Sequence, residues 1–94
     1  MEFSLEMKAT VPPDVLIQET LGESVLLNIR NGSYYGLNAV GTRMWTVLTT
    51  ASSLRAACDA LKTEYDVPGP RLEKDLLDLV GKLAESGLLE VHSG

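Results

Sequence analysis

The chain opens with alternating apolar and polar residues, which predict a half-buried strand. The apolar positions of this stretch are Phe3, Leu5, Met7, Ala9 and Val11. Pro12 and Pro13 end it, because proline has no amide hydrogen to donate to a strand ladder. A second extended segment is predicted from Asp14 to Thr20, and a turn at Gly22-Glu23 leads into the next strand.

A β-hairpin is predicted around the dipeptide Asn31-Gly32, which is the strongest short turn signal in the chain. Residues 24–30 form the strand before it and residues 33–37 the strand after it. Three apolar residues alternate along the first of these strands: Val25, Leu27 and Ile29. We expect this set to face the core.

Two registers are compatible with the hairpin. A two-residue turn would pair Ile29 with Tyr34. A three-residue loop with glycine in a left-handed bulge would instead pair Leu27 with Tyr35. We favour the second register, because only it joins the apolar faces of both strands, and a slip of one residue turns every side chain to the other face.

Three helices are predicted after the strands. Asn38 is a suitable N-cap for the first helix, and Ser52 or Ser53 for the second. The third helix is predicted from about Pro70 to Ser86, where a glycine follows in the position of a helix C-cap. The order of elements predicts an α+β fold, in which an antiparallel meander of three or four strands precedes three helices, as in a winged helix.

Composition places the chain among single globular domains. It has 94 residues, 45% of them apolar, and a net charge of −5. The acidic balance disfavours nucleic acid and anionic membranes as partners. The longest aliphatic stretch is only Val25-Leu26-Leu27, so we expect no membrane span and no signal peptide, and a cytoplasmic location.

The residues that usually carry chemistry are scarce. A single cysteine, Cys58, falls on the apolar face of the second helix, and a single histidine, His92, lies near the end of the chain. Neither a zinc cage nor a catalytic triad can be built from them. We therefore expect no metal, no cofactor and no catalytic residues, and a protein that is not an enzyme.

The last strand of the meander, residues 33–37, is predicted to lie at a sheet edge. It carries no charge and no proline, which are the usual means of blocking such an edge, so an added strand could pair with it. A second interpretation is that the alternating stretch from Phe3 to Val11 covers the same edge.

The third helix has an unusually wide apolar face. Its core-facing stripe consists of Leu72, Leu76, Leu79, Val80 and Leu83, and Leu77 and Ala84 widen it to roughly 160°, against about 100° for an ordinary surface helix. Either the helix is deeply buried, or one side of the stripe lines a groove. A role in the DNA major groove is disfavoured, because three basic and four acidic residues lie between positions 70 and 87.

The segment from Leu26 to Trp45 resembles the PqqD-like family. It combines an aliphatic strand, a glycine turn, the run Tyr34-Tyr35-Gly36-Leu37-Asn38, and a glycine and a tryptophan in the first helix. The likeness extends over residues 14–91, so that residues 1–13 are an extended N-terminal extension and residues 92–94 a tail. The resemblance implies a RiPP recognition element, a non-catalytic module that binds the leader segment of a ribosomally made precursor peptide.

The resemblance also implies how the leader is bound. The leader would add as an antiparallel strand to the last hairpin strand, formed by Ser33, Tyr34, Tyr35, Gly36 and Leu37. Its side chains would enter a groove beside the third helix. The helix positions expected nearest that groove, from the helical wheel, are Leu72, Asp75, Leu76, Leu79 and Lys82.

The implied partners are a lasso-peptide leader, a transglutaminase-like maturation protease and a cyclase, with no nucleic acid and no membrane. The protein itself is expected to be a monomer or a weak dimer. The alternative function is an acidic winged-helix domain that acts in transcription or in protein interaction.

Overall fold

The chain folds into two small antiparallel sheets and three helices, and the computed structural model describes residues 4–93. The elements are β1 (Lys8–Thr10), β2 (Val15–Thr20), β3 (Glu23–Asn28), β4 (Tyr34–Leu37), α1 (Ala39–Thr50), α2 (Leu54–Lys62), α3 (Gly69–Glu85) and β5 (Glu90–His92). One sheet has the strand order β2-β3-β4, and the other consists of β1 and β5. The predicted α+β fold, with a meander followed by three helices, is confirmed.

The N-terminal strand is much shorter than the alternating pattern predicts. Only Lys8–Thr10 is a strand, because a turn in which the amide of Met7 donates to the carbonyl of Ser4 (3.0 Å) precedes it. Phe3, the first apolar position of the pattern, lies outside the described residues. The apolar residues before this strand still pack inward, because Leu5 and Met7 both contact the core.

The buried face of β3 is the opposite of the predicted one. Three residues of the strand point inward and are buried: Ser24, Leu26 and Asn28. The apolar set expected in the core, Val25, Leu27 and Ile29, is exposed on the outer face of the sheet. The inversion is tolerated because the buried polar side chains have hydrogen-bond partners, for example the hydroxyl of Ser24 with that of Thr42 on α1, at 2.8 Å.

Both predicted hairpin registers are wrong. β4 pairs with β3 so that Leu26 faces Tyr35 and Leu27 faces Tyr34. Residues 29–33 connect the two strands, and the amide of Gly32 donates to the carbonyl of Asn28 at 2.9 Å. Gly32 does adopt the predicted left-handed conformation (φ +77°).

The helix ends follow the sequence closely. The side chain of Asn38 accepts a hydrogen bond from the amide of Gly41 (2.8 Å), and Ser53 caps α2 in the same way. At the end of α3, Gly87 is left-handed and the amide of Leu88 donates to the carbonyl of Leu83 at 2.9 Å, which is a Schellman motif. The predicted caps are confirmed.

A single apolar core joins the three helices to the inner faces of both sheets. Its fully buried members include Leu26, Leu48, Leu54, Leu61, Leu76, Leu83 and Leu88. Cys58 also lies in this core, as predicted, and burial raises the pKa of its thiol. In the part of the chain that the structure describes, no helix is long and apolar enough to cross a membrane.

Candidate functional site

The outer side of β4 is an unpaired sheet edge. β4 is the last strand of the three-stranded sheet, and among residues 4–93 no other strand pairs with its outer side. The described part of the N-terminal segment, residues 4–11, does not cover it, because β1 pairs with β5 instead, with Ala9 opposite Val91. Of the two interpretations that the sequence left open for residues 33–37, the open edge is the one observed.

The register shows which backbone groups of this edge are available. The amide of Asn28 donates to the carbonyl of Ser33 at 2.8 Å, so these two residues form a hydrogen-bonded pair. Hydrogen-bonded and non-hydrogen-bonded pairs alternate along an antiparallel ladder. The amides and carbonyls of Tyr35 and Leu37 therefore point toward β3, and those of Tyr34 and Gly36 point away from the sheet.

The two residues that point outward from the edge are accessible. Tyr34 is 75% exposed, and a β-carbon added to Gly36 would meet no atom within 4 Å. Neither proline nor charge interrupts the strand. The edge can thus accept an extended segment that supplies complementary hydrogen bonds at two alternate residues.

The two faces of the edge strand differ. On the inner face, Tyr35 is half-buried against the core and Leu37 is buried. On the outer face, Gly36 lies in one row with Val25 and Gln18, because these residues are paired across β2, β3 and β4. A peptide strand beside β4 would therefore direct alternate side chains toward the helices and toward the outer face.

An open hollow of about 500 Å³ lies beside the Gly36 end of the edge, and no pattern in the sequence indicates it. It is lined by Gln18, Thr20, Leu21, Glu23, Ser24, Val25, Gly36, Leu37 and Asn38. Leu21 is 98% exposed at the β2–β3 turn and has a positive φ of 54°, which is strained for a bulky residue.

The α3 residues predicted beside the groove divide into two groups. Leu72 and Leu76 are buried in the core, so their side chains support the helix from behind. Leu79 is half-buried, and Asp75 and Lys82 are exposed. Only Leu79, Asp75 and Lys82 therefore reach the surface of the helix. That any of the five predicted α3 residues contacts a peptide stays a prediction.

The hairpin and the end of α3 are linked by two asparagine side chains to which the sequence analysis gave no role in the site. The side-chain amide of Asn28 donates to the carbonyl of Gly87 at 2.7 Å. The side-chain amide of Asn31 donates to the carbonyl of Ser86 at 3.4 Å. A sequence presents Asn31 only as a turn residue, and nothing in it indicates a partner 55 positions away.

Comparisons with known proteins agree with this geometry. The family described as Coenzyme PQQ synthesis protein D (PqqD) matches residues 23–89. The solved structure "TbiB1 in Complex with the TbiA(beta) Leader Peptide" is similar, with 37% sequence identity and a TM-score of 0.79 over 86% of this chain and 94% of that chain. "Lasso peptide synthetase B1 complexed with the leader peptide" shares 28% identity and a TM-score of 0.78, over 88% and 98%. No curated protein sequence matches the chain.

Proposed function

The chain belongs to the PqqD family, and on that basis we propose that it is a RiPP recognition element that binds the leader segment of a lasso-peptide precursor. The observation that carries the proposal is the unpaired edge of β4, with the backbone groups of Tyr34 and Gly36 directed outward. Both similar structures are described as complexes with a leader peptide.

Binding proceeds by addition of a strand. An extended leader segment that runs antiparallel to β4 pairs with the outward amide and carbonyl of Tyr34 and with those of Gly36, which gives four backbone hydrogen bonds. These bonds are indifferent to the leader's side chains, so they supply affinity without sequence selection. The edge is already held in extended form by β3, so little backbone entropy of the protein is lost on binding.

Selection depends on the leader's side chains. Those on the inner face contact Tyr35 and the exposed or half-buried positions of α3, namely Leu79, Asp75 and Lys82. Ser33 and Leu37 delimit the ladder, and Leu72 and Leu76 hold the helix in place from the core. A few buried apolar contacts of this kind carry most of the energy in peptide complexes, which is consistent with micromolar to nanomolar affinity.

The role is one of delivery. We propose that residues 14–91 form a non-catalytic cytoplasmic module that presents the bound leader to a maturation protease and to a cyclase. The support is the family membership and the similarity to a lasso peptide synthetase B1.

Titration calorimetry tests the proposal with a synthetic leader peptide of the precursor encoded next to this chain's gene. We expect one peptide per protein and a Kd between micromolar and nanomolar. A peptide of the same composition in scrambled order is the control. Absence of heat, together with unchanged amide resonances of residues 33–37 at about 100 μM protein, would overturn the proposal.

A further inference from the structure

The two elements that would flank the bound leader, the β3–β4 hairpin and α3, are joined at one end by asparagine side chains. We propose that Asn28 and Asn31 are positioning residues that fix the end of α3 relative to the β4 edge and thereby set the affinity for the leader. The inference rests on the proposed function, and it concerns how the site is held together rather than what it binds.

Asn28 is the more central of the two. It is 6% exposed, and its side chain makes three hydrogen bonds. The amide nitrogen donates to the carbonyl of Gly87 (2.7 Å), while the amide oxygen accepts from the backbone amides of Arg30 (2.9 Å) and Asn31 (3.3 Å). One side chain thus connects the end of β3, the hairpin loop and the segment that follows α3.

Asn31 repeats this connection next to β4. Its side-chain oxygen accepts from the amide of Ser33 (2.8 Å), which immediately precedes β4, and its side-chain nitrogen donates to the carbonyl of Ser86 (3.4 Å). Carbonyls beyond the last turn of a helix have no partner within the helix. The two asparagines provide those partners from the hairpin.

These bonds matter because other contact between α3 and the edge is limited. Within residues 4–93, α3 packs most extensively on α2, and no comparable packing joins it to β4. The hairpin in turn packs on α1. Among the described residues, the side-chain amides of the two asparagines are therefore the direct polar link between the hairpin that contains β4 and the end of α3.

Gly87 offers a way to disturb this link without removing either asparagine. A β-carbon at Gly87 would lie 2.9 Å from Nδ2 of Asn31 and 3.3 Å from Nδ2 of Asn28, so the side-chain amide of Asn31 would have to move and its hydrogen bond to the carbonyl of Ser86 would be disturbed. Gly22 is the matched control. It has nearly the same φ (+82° against +74°), but a β-carbon there meets nothing within 4 Å.

The experiment compares Gly87→Ala with Gly22→Ala, using the fluorescein-labelled leader peptide of the neighbouring precursor. Both variants bear the same cost of a left-handed alanine, so both should melt a few degrees lower than the wild type. We expect about tenfold weaker binding for Gly87→Ala and a change within about twofold for Gly22→Ala, at a temperature where both are folded.

Asn31→Asp is a second variant that does not depend on glycine. Its carboxylate still accepts from the amide of Ser33 but can no longer donate to the carbonyl of Ser86. We expect affinity to fall by about threefold to tenfold, as for the loss of one hydrogen bond. If Gly87→Ala does not fold, this variant decides the question.

Two further leader peptides distinguish positioning from general damage. In one peptide, alanine replaces every residue of the paired segment whose side chain would point toward α3. In the other, alanine replaces the alternate residues, whose side chains would point toward the outer face of the sheet. The peptide that lacks side chains toward α3 should bind Gly87→Ala and Gly22→Ala equally, whereas the other should retain the tenfold difference. Equal binding of the unmodified leader to both variants would overturn the inference, and failure of the wild type to bind would overturn the proposed function instead.

Discussion

Leu26 and Tyr35 face each other across β3 and β4 as a hydrogen-bonded pair, which turns both backbone polar groups of Tyr35 toward the interior of the sheet. The next residue, Gly36, turns its own groups outward. This alternation separates the part of β4 that maintains the sheet from the part that is free to bind a peptide, and the two can be examined independently.

Amide hydrogen exchange should show the alternation directly. In the free protein, the amides of Tyr35 and Leu37 should exchange slowly and those of Tyr34 and Gly36 rapidly. Saturation with leader peptide should slow exchange at Tyr34 and Gly36 by at least about tenfold, because these amides then join a ladder. If the amides of Tyr34 and Gly36 exchange as rapidly with the peptide bound as without it, strand addition is contradicted.

Gly36→Pro should weaken leader binding and leave the fold intact. Proline removes an amide hydrogen that points outward, so the β3–β4 ladder loses nothing. Gly36→Ala keeps the amide and has room for its methyl group. We expect calorimetry to show a threefold to tenfold higher Kd for the proline variant than for the alanine variant, as for one lost hydrogen bond. Equal Kd values would show that this amide is not used.

Leu76→Ala should affect stability rather than recognition. Leu76 is fully buried at the centre of α3, so we expect its truncation to lower the free energy of unfolding by about 2–5 kcal/mol in urea titrations. Lys82→Ala, on the exposed side of the same helix, should change it by less than about 0.5 kcal/mol. A small effect at Leu76 would place that side chain outside the core.

Stability should fall in acid through the ion pair between α1 and the segment after α2. The Arg43 guanidinium donates to both carboxylate oxygens of Glu64 (2.7 and 2.8 Å), and this hydrogen bonding lowers the pKa of Glu64. The stabilisation is present above the unfolded-state pKa of glutamate, about 4.3, and is lost as pH falls through the lower folded-state value.

Thermal melting checks this pH dependence with two variants. At pH 7, Glu64→Gln should melt below the wild type, and the difference should shrink as the pH falls below about 4.3. Glu19→Gln, which removes an exposed carboxylate from β2, is the matched control. The difference between its melting temperature and that of the wild type should not shrink in this way as the pH falls. A constant difference between wild type and Glu64→Gln from pH 7 to pH 3 would contradict the assignment.

The helices and their ends were predictable because their signals are local. Asn38, Ser53 and Gly87 each act within four residues of their own position, through a cap or a left-handed turn. The open edge was also predictable, since the absence of charge and proline from residues 33–37 is visible in the sequence.

The buried face of β3 was not predictable from period alone. Val25, Leu26 and Leu27 are all aliphatic, so alternation alone does not show which face is buried. One face carries three apolar residues, which are exposed in the structure, and the other carries one leucine between two polar residues, which are buried. What decides the face is long-range: Ser24 is paired with Thr42, and Asn28 with the carbonyl of Gly87. The link between hairpin and helix was missed for the same reason.

The pairing of β1 with β5 has a consequence for how the protein is made. Ala9 meets Val91, and the hydroxyl of Thr10 hydrogen-bonds to Nε2 of His92 at 2.8 Å. During translation, the earliest strand must wait for its partner until residue 92 has left the ribosome, although the meander and α1 are already synthesised by residue 50. The β4 edge is therefore synthesised before α3, and the domain that holds both is closed only when β5 pairs with β1.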